Sequence, residues 1–156
     1  MAEIRYVSGD ATWPICSGKK IIIHACNDAG GWTKGFVESI SRNWPETEKE
    51  YRSWVRKRNE FQLGRIQVVE VSPYITVVNM LCQRGINFER NLDQKALEKC
   101  LNAVIDHYSN SEDKIPIHMP RICKGLVGAN WYLIENILKK TLVEAGFNVF
   151  VYDWVK

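Results

Sequence analysis

Apolar and polar positions fall in blocks along the chain, and the blocks change period. Short runs rich in branched apolar residues predict strands at 4–7, 20–25, 66–71, 75–81, 116–119 and 148–152. Between them, apolar residues three and four apart predict helices at 35–43, 46–58, 93–108 and 130–145. In the third helix Leu97, Leu101, Val104, Ile105 and Tyr108 form one stripe, with Asp93 as an N-cap or first-turn acid. Gly146 follows the last helix as a C′ glycine. Pro45 disfavours the α region at Trp44, so one helix ends there and the next begins. Ser72-Pro73-Tyr74 makes a turn between two neighbouring strands. Strands alternating with helices imply a mixed sheet sandwiched by helices, an α/β fold. No repeat, linker or low-complexity segment interrupts the pattern, so a single domain over 1–156 is expected.

Two places in this pattern carry chemistry. The run Ile21-Ile22-Ile23-His24-Ala25-Cys26-Asn27 breaks into Asp28-Ala29-Gly30-Gly31-Trp32-Thr33-Lys34-Gly35, and a helix pattern follows at Phe36. A strand feeding a glycine loop and then a helix start is suited to anions, because glycine allows close backbone approach and unpaired N–H groups favour phosphate. The loop has neither the Lys-Ser/Thr ending of a P-loop nor the spacing of a dinucleotide-binding turn. A plain structural turn is the alternative. The plan repeats at Ile117-His118-Met119-Pro120-Arg121-Ile122-Cys123-Lys124-Gly125-Leu126-Val127-Gly128-Ala129-Asn130-Trp131. Two such units place two cradles at the carboxyl ends of strands, where open α/β sheets bind ligands. Adjacent cradles suit a diphosphate.

The order of these motifs resembles the macro domain, an ADP-ribose-binding module. Val7-Ser8-Gly9-Asp10-Ala11-Thr12 is similar to its opening, the segment around Asn27 to Gly35 to its first loop, and Pro120 to Gly128 to its second. Val149-Phe150-Val151-Tyr152 is similar to its last strand, so the resemblance runs from about Ile4 to Tyr152. Through Met119-Pro120-Arg121-Ile122 the chain most resembles the stand-alone subgroup of terminal ADP-ribose glycohydrolases and yeast-type ADP-ribose 1''-phosphate phosphatases. The resemblance implies a three-layer α/β/α sandwich with a mixed, six-stranded central sheet.

Composition changes this picture little. The chain has 156 residues, 46% hydrophobic and 25% charged, which suits one soluble domain of ordinary size. A net charge of +3 allows an anionic ligand but, with no dense basic stripe, does not argue for nucleic acid, which is not expected as a partner. The basic run from Arg52 to Arg58 contains Trp54 and Val55 and reads as a solvated helix face. No apolar segment has the length of a bilayer span, and the N-terminus has no secretory pattern. An intracellular, cytoplasmic protein is expected, with the nucleus also open, as a monomer needing no cofactor. Five cysteines without metal or redox spacing suit a reducing compartment. Cys26, Cys82 and Cys100 read as small hydrophobes, while Cys123, beside Lys124, is a candidate thiol in the second loop.

The resemblance implies roles for single residues, each set against a plainer one. Asp10, with Ala11 beside it, would read the adenine amine, or form an Asx turn. Asn27 would contact the distal ribose, or simply occupy the loop. Gly30, Gly31 and Gly35 would let the loop close over that ribose and its phosphate, with Trp32 stacked as a lid or packed on the sheet edge. Backbone N–H groups of Gly125, Leu126, Val127 and Gly128 would hold the diphosphate, with Cys123 beside them in the binding loop and Lys124 paired with phosphate. Tyr152 would lie against the adenine or its ribose, or serve as a core tyrosine. His24 falls within a strand, buried or lining the cleft; His107 and His118 have no metal-ligand spacing.

The glycohydrolase pattern has a lysine after the fourth strand and an aspartate in the second glycine loop. Gln83 and Val127 stand there, and neither can perform those steps. Attack by bound water remains, with Asp28 beside Asn27 as candidate base and Asp93 as a second. Two expectations follow: a hydrolase removing phosphate, acyl or ADP-ribosyl groups from the distal ribose, or a non-catalytic reader of free or protein-linked ADP-ribose.

Overall fold

The computed structural model describes residues 1–32, 35–85, 91–122 and 131–153. Its elements are β1 (Ile4–Ser8), β2 (Lys20–Asn27), α1 (Phe36–Asn43), α2 (Pro45–Lys57), β3 (Ile66–Glu70), β4 (Ile75–Arg84), β5 (Asn91–Leu92), α3 (Gln94–His107), β6 (Ile117–Pro120), α4 (Trp131–Leu138) and β7 (Val149–Asp153). Six strands lie in the order β1-β7-β6-β2-β4-β3. The first five run parallel, and β3 closes the sheet antiparallel to β4 through the hairpin at Ser72. The expected mixed sheet is therefore present. The chain adds one element that hydrophobic periodicity did not predict: β5, two residues long, lies antiparallel to the end of β4.

The branched apolar runs form strands because both of their faces are covered. Ile21, Ile23, Val78 and Met80 face a core built with Leu97, Leu101 and Val104 of α3 and Ile134 and Leu138 of α4. Their neighbours Ile22, Val77 and Leu81 face the other way, against Ile40 of α1 and Tyr51 of α2. Continuous burial on two faces is what an unbroken apolar strand signals. The result is three layers, with α1 and α2 on one side and α3 and α4 on the other.

Local chemistry sets the helix ends. The Asp93 side chain accepts from the Ala96 N–H at 2.9 Å and caps α3. Pro45 opens α2, where its missing N–H is not needed. The single helix expected over 130–145 differs in its second half: α4 continues into a π-helical segment, Lys139–Val143. Thr141 Oγ1 donates to Ile137 O at 2.6 Å, and that hydroxyl competes with the regular backbone bond. Beyond it, wider turns close through Glu144 N–H to Lys139 O and Phe147 N–H to Leu142 O. No helix among the described residues is long and apolar enough to cross a membrane.

Leu101 is fully buried between α3 and the sheet. Leu101→Ala should cost about 2–5 kcal/mol of stability, the usual range for a deleted core side chain, measured by urea unfolding. A cost below ~1 kcal/mol would mean that this layer does not carry the core.

Candidate functional site

Because β1, β7, β6, β2 and β4 are parallel, their carboxyl ends lie along one edge. That edge gathers Gly9 and Asp10 after β1, Asp153 of β7, Arg121 after β6, Asn27 and Asp28 of the β2 turn, and Gln83 to Gly85 beside them. It is the edge at which such sheets bind ligands. The described grooves elsewhere, around Gly64, Arg65 and Lys99 and around Ile4, Lys140 and Val143, hold none of the candidate site residues.

The turn after β2 is organised by Asn27. The register of β2 on β4 shifts between Cys26 and Asn27, which pairs Asn27 with Gln83. Asn27 Oδ1 accepts from Ala29 N–H at 3.0 Å and Gly31 N–H at 2.9 Å, and Nδ2 donates to Gly31 O at 2.8 Å. One amide hydrogen remains outside these bonds. Asp28 donates its N–H to Gln83 O at 3.0 Å, while its Oδ1 accepts from Gly85 N–H at 2.8 Å. Asp28 thus ties the β2 turn to the end of β4. Gly30 has φ +84°, and a Cβ there would meet Val55 Cγ1 at 3.0 Å. Only glycine suits that position. Gly35 precedes α1 with φ +91°.

Trp32 is packed on the sheet, not laid over it as a lid. It is 5% exposed, lies edge-on to His24 and faces Tyr51 at 5.2 Å between ring centroids. Its Nε1 donates to Ser41 Oγ at 2.7 Å, which donates to Glu48 Oε1 at 2.8 Å. Arg52 holds the other Glu48 oxygen at 2.7 Å and reaches Trp32 O at 3.4 Å. The guanidinium and the Ser41 hydroxyl hold the Glu48 carboxyl below the usual carboxylate range. Arg52 therefore does more than solvate a helix face.

On the β1 side, Asp10 adopts the Asx turn: Oδ1 accepts from Thr12 N–H at 2.8 Å. Oδ2 lies outside that turn. Ala11 is buried beneath it. Tyr152 is a core tyrosine, 2% exposed, so the face of its ring is not offered to a base. Its hydroxyl accepts from Ile15 N–H at 3.1 Å and meets His118 Nδ1 at 2.8 Å. Arg121 forms two bonds with Asp153, at 2.6 and 2.9 Å, and stacks on the rings of Tyr6 and Trp131. The second glycine loop, Cys123, Lys124, Gly125, Leu126, Val127 and Gly128, lies outside the described residues, as does Lys34.

The remaining titratable candidates are held in structural roles. Asp93 Oδ1 caps α3, and Oδ2 pairs with Arg84 at 2.8 Å. The Ala96 N–H, assisted by Arg84, keeps its carboxyl low, which does not suit a base. His24 is 2% exposed and bonded through Nε2 to Asn79 Oδ1, which continues to Gln67 and the backbone of α2. Burial lowers the His24 pKa to about 4 and, with help from Lys20, that of His118 to about 4. Burial pushes the Cys26 thiol up, so it behaves as a hydrophobe.

Sequence reasoning missed Tyr51, Gly85, Arg121 and Asp153. Tyr51 alone carried a usable signal: it lies three and four residues before Trp54 and Val55, on the inner stripe of α2. The other three are joined by long-range bonds that no spacing announces.

No protein-family model matches this chain. Among solved structures it is similar to a macrodomain protein from Streptomyces coelicolor: 44% identical, TM-score 0.86, covering 97% of this chain and 99% of the other. A protein of unknown function from Bacteroides thetaiotaomicron is 42% identical, with TM-score 0.90 and 97% and 98% of the two chains covered. Among curated relatives, the ADP-ribose 1''-phosphate phosphatase of Candida albicans is 28% identical over 95% of this chain and 99% of its own.

Two outcomes test these assignments. Asp93→Ala should lose about 1 kcal/mol through the missing cap, and Asp93→Ser should recover it. Equal stability of the two variants in urea would remove the capping role. Each buried histidine has a folded-state pKa below its ordinary 6.5. The stability it contributes is therefore complete above that value and lost as the pH falls toward about 4. The slope should reach about 1.4 kcal/mol per pH unit for each histidine, and His24→Gln should make it shallower. A melting temperature flat from pH ~7 to ~4 would contradict the assignment.

Proposed function

This chain belongs to the macrodomain family, and from that premise we propose that it binds ADP-ribose derivatives at the carboxyl edge of its sheet and hydrolyses the 1''-phosphate of ADP-ribose 1''-phosphate. The single observation that carries the reading is the Asn27–Asp28 turn, set against Gln83 by the register shift. It presents an amide and a carboxylate oxygen, and the residue paired with Asn27 is Gln83 instead of a lysine. The end-to-end match to a phosphatase of that specificity supports the choice of substrate.

In this reading the free amide hydrogen of Asn27 donates to the distal ribose. Asp28 Oδ2, the oxygen outside the Gly85 bond, takes a proton from an attacking water. The water oxygen bonds to phosphorus, and the bond from phosphorus to the 1'' oxygen breaks. ADP-ribose and inorganic phosphate leave, with the 1'' oxygen reprotonated. Asp10 Oδ2 receives the adenine amine. Backbone N–H groups of the glycine loops offset phosphate charge, Gly125 to Gly128 among them. No covalent lysine adduct forms on this path, because Gln83 cannot supply one.

Asp28 has two tasks that one pair of substitutions separates. Asp28→Asn keeps an oxygen for Gly85 N–H but removes the base. It should lower kcat at least ~100-fold, about 2.7 kcal/mol of barrier, with affinity for ADP-ribose within roughly threefold. Asp28→Ala should lose stability as well. Phosphate release from ADP-ribose 1''-phosphate and calorimetry with ADP-ribose read the two effects. Full turnover in Asp28→Asn would move the base elsewhere; tight binding with no turnover by the wild type would make the protein a reader.

A further inference from the structure

We propose that Tyr51 is a positioning residue for the site, acting through Asn27; the inference rests on the reading above and deepens it. Tyr51 belongs to α2, yet its side chain crosses beneath the turn and is fully buried. The hydroxyl donates to Asn27 O at 2.7 Å and lies 3.3 Å from Asn27 Oδ1. One hydroxyl therefore grips both the backbone and the side chain of the residue at which β2 slips its register. The ring has no room to turn away, because Trp32 and Phe61 pack on it with centroids 5.2 and 6.0 Å distant.

The consequence is directional. Asn27 Oδ1 is committed to Ala29 and Gly31, and one Nδ2 hydrogen to Gly31 O. With the carbonyl also fixed, the amide plane is set, and so is the direction of its remaining hydrogen. On either side of Tyr51 in α2, Arg52 reaches Trp32 O and Glu48 holds Trp32 through Ser41, farther along the same turn. Helix α2 thus grips the turn at its start and its finish before any ligand arrives. Such preorganisation lowers the cost of ordering donors in the transition state more than it alters ground-state affinity.

Tyr51→Phe removes the hydroxyl and keeps the ring. We expect kcat on ADP-ribose 1''-phosphate to fall roughly 10- to 30-fold, with ADP-ribose affinity within about threefold of wild type. By hydrogen exchange, the Ala29 and Gly31 amides should open at least ~10-fold faster, with Val78 and Met80 amides unchanged. Installed on Asn27→Ala, the same change should cost less than about twofold further in kcat, because the Asn27 amide that the hydroxyl aims is already gone, although the backbone carbonyl remains. Unchanged exchange at Ala29 and Gly31, or a full additional loss on the Asn27→Ala background, would overturn the proposal. The exchange result needs no substrate. If the wild type hydrolyses nothing, the phosphatase reading fails while exchange still decides the role of Tyr51.

Discussion

The slip of register between Cys26 and Asn27 is the constraint on which the candidate site depends. Five parallel strands must all leave the sheet at the same edge, and β2 lies inside it, between β6 and β4. A central strand cannot end by fraying into solvent; its last polar groups need partners within the fold. The slip supplies them. It pairs Asn27 with Gln83, gives the Asp28 N–H to Gln83 O, and places Asp28 Oδ1 against Gly85. A β-bulge re-aims side chains at the rim of a sheet in this way. The same bonds that end the strand also orient the Asn27 and Asp28 side chains on the β2 turn.

A second regularity links the two flanks of the edge. Two buried tyrosines, each reaching from the core, end in a hydroxyl that holds a loop. Tyr51 donates to the turn after β2, and Tyr152 accepts from Ile15 in the loop after β1. Burying a phenol without a partner would be costly, so these rings are stable in the core because the loops complete them. The dependence runs both ways, since without the hydroxyls the loops would lose their anchors. Packing and site geometry are in this sense one system, and the apolar layer around Tyr51, Trp32 and Phe61 belongs to it.

The fold was legible because its signals are local. Ile21 to Ile23 and Val77 to Leu81 are buried on both faces and read as strands without help. Asp93 announced its cap, and Pro45 its helix start. The π-helical turn was not legible, because a threonine in a helix pattern does not reveal where its hydroxyl will bond. For the site, the turn from Asn27 to Gly31 was found, but the tasks within it were shared differently. Trp32 and Tyr152 invited a stacking role, since an aromatic near glycines or at a strand end suits a base equally well. Burial decided against it, and burial is a tertiary property. Tyr51 went unremarked because its hydroxyl bonds a residue 24 positions away. Periodicity can place such a side chain on the inner face but cannot name its partner.

The electrostatics of the described edge agree with a site that works by geometry. Its cations are already engaged: Arg84 with Asp93, and Arg121 with Asp153. Arg121 is further confined between Tyr6 and Trp131, with Tyr6 bonded to Glu135 and Trp131 to Tyr6. A guanidinium so neutralised and stacked braces the start of α4 more than it attracts a distant anion. In the proposed function phosphate is held by backbone N–H groups, which act only at hydrogen-bond range and only when correctly aimed. Donors of that kind are as good as the framework that aims them. The turn after β2 is accordingly tied at Asn27, Asp28 and Trp32 to three different elements, β4, α1 and α2.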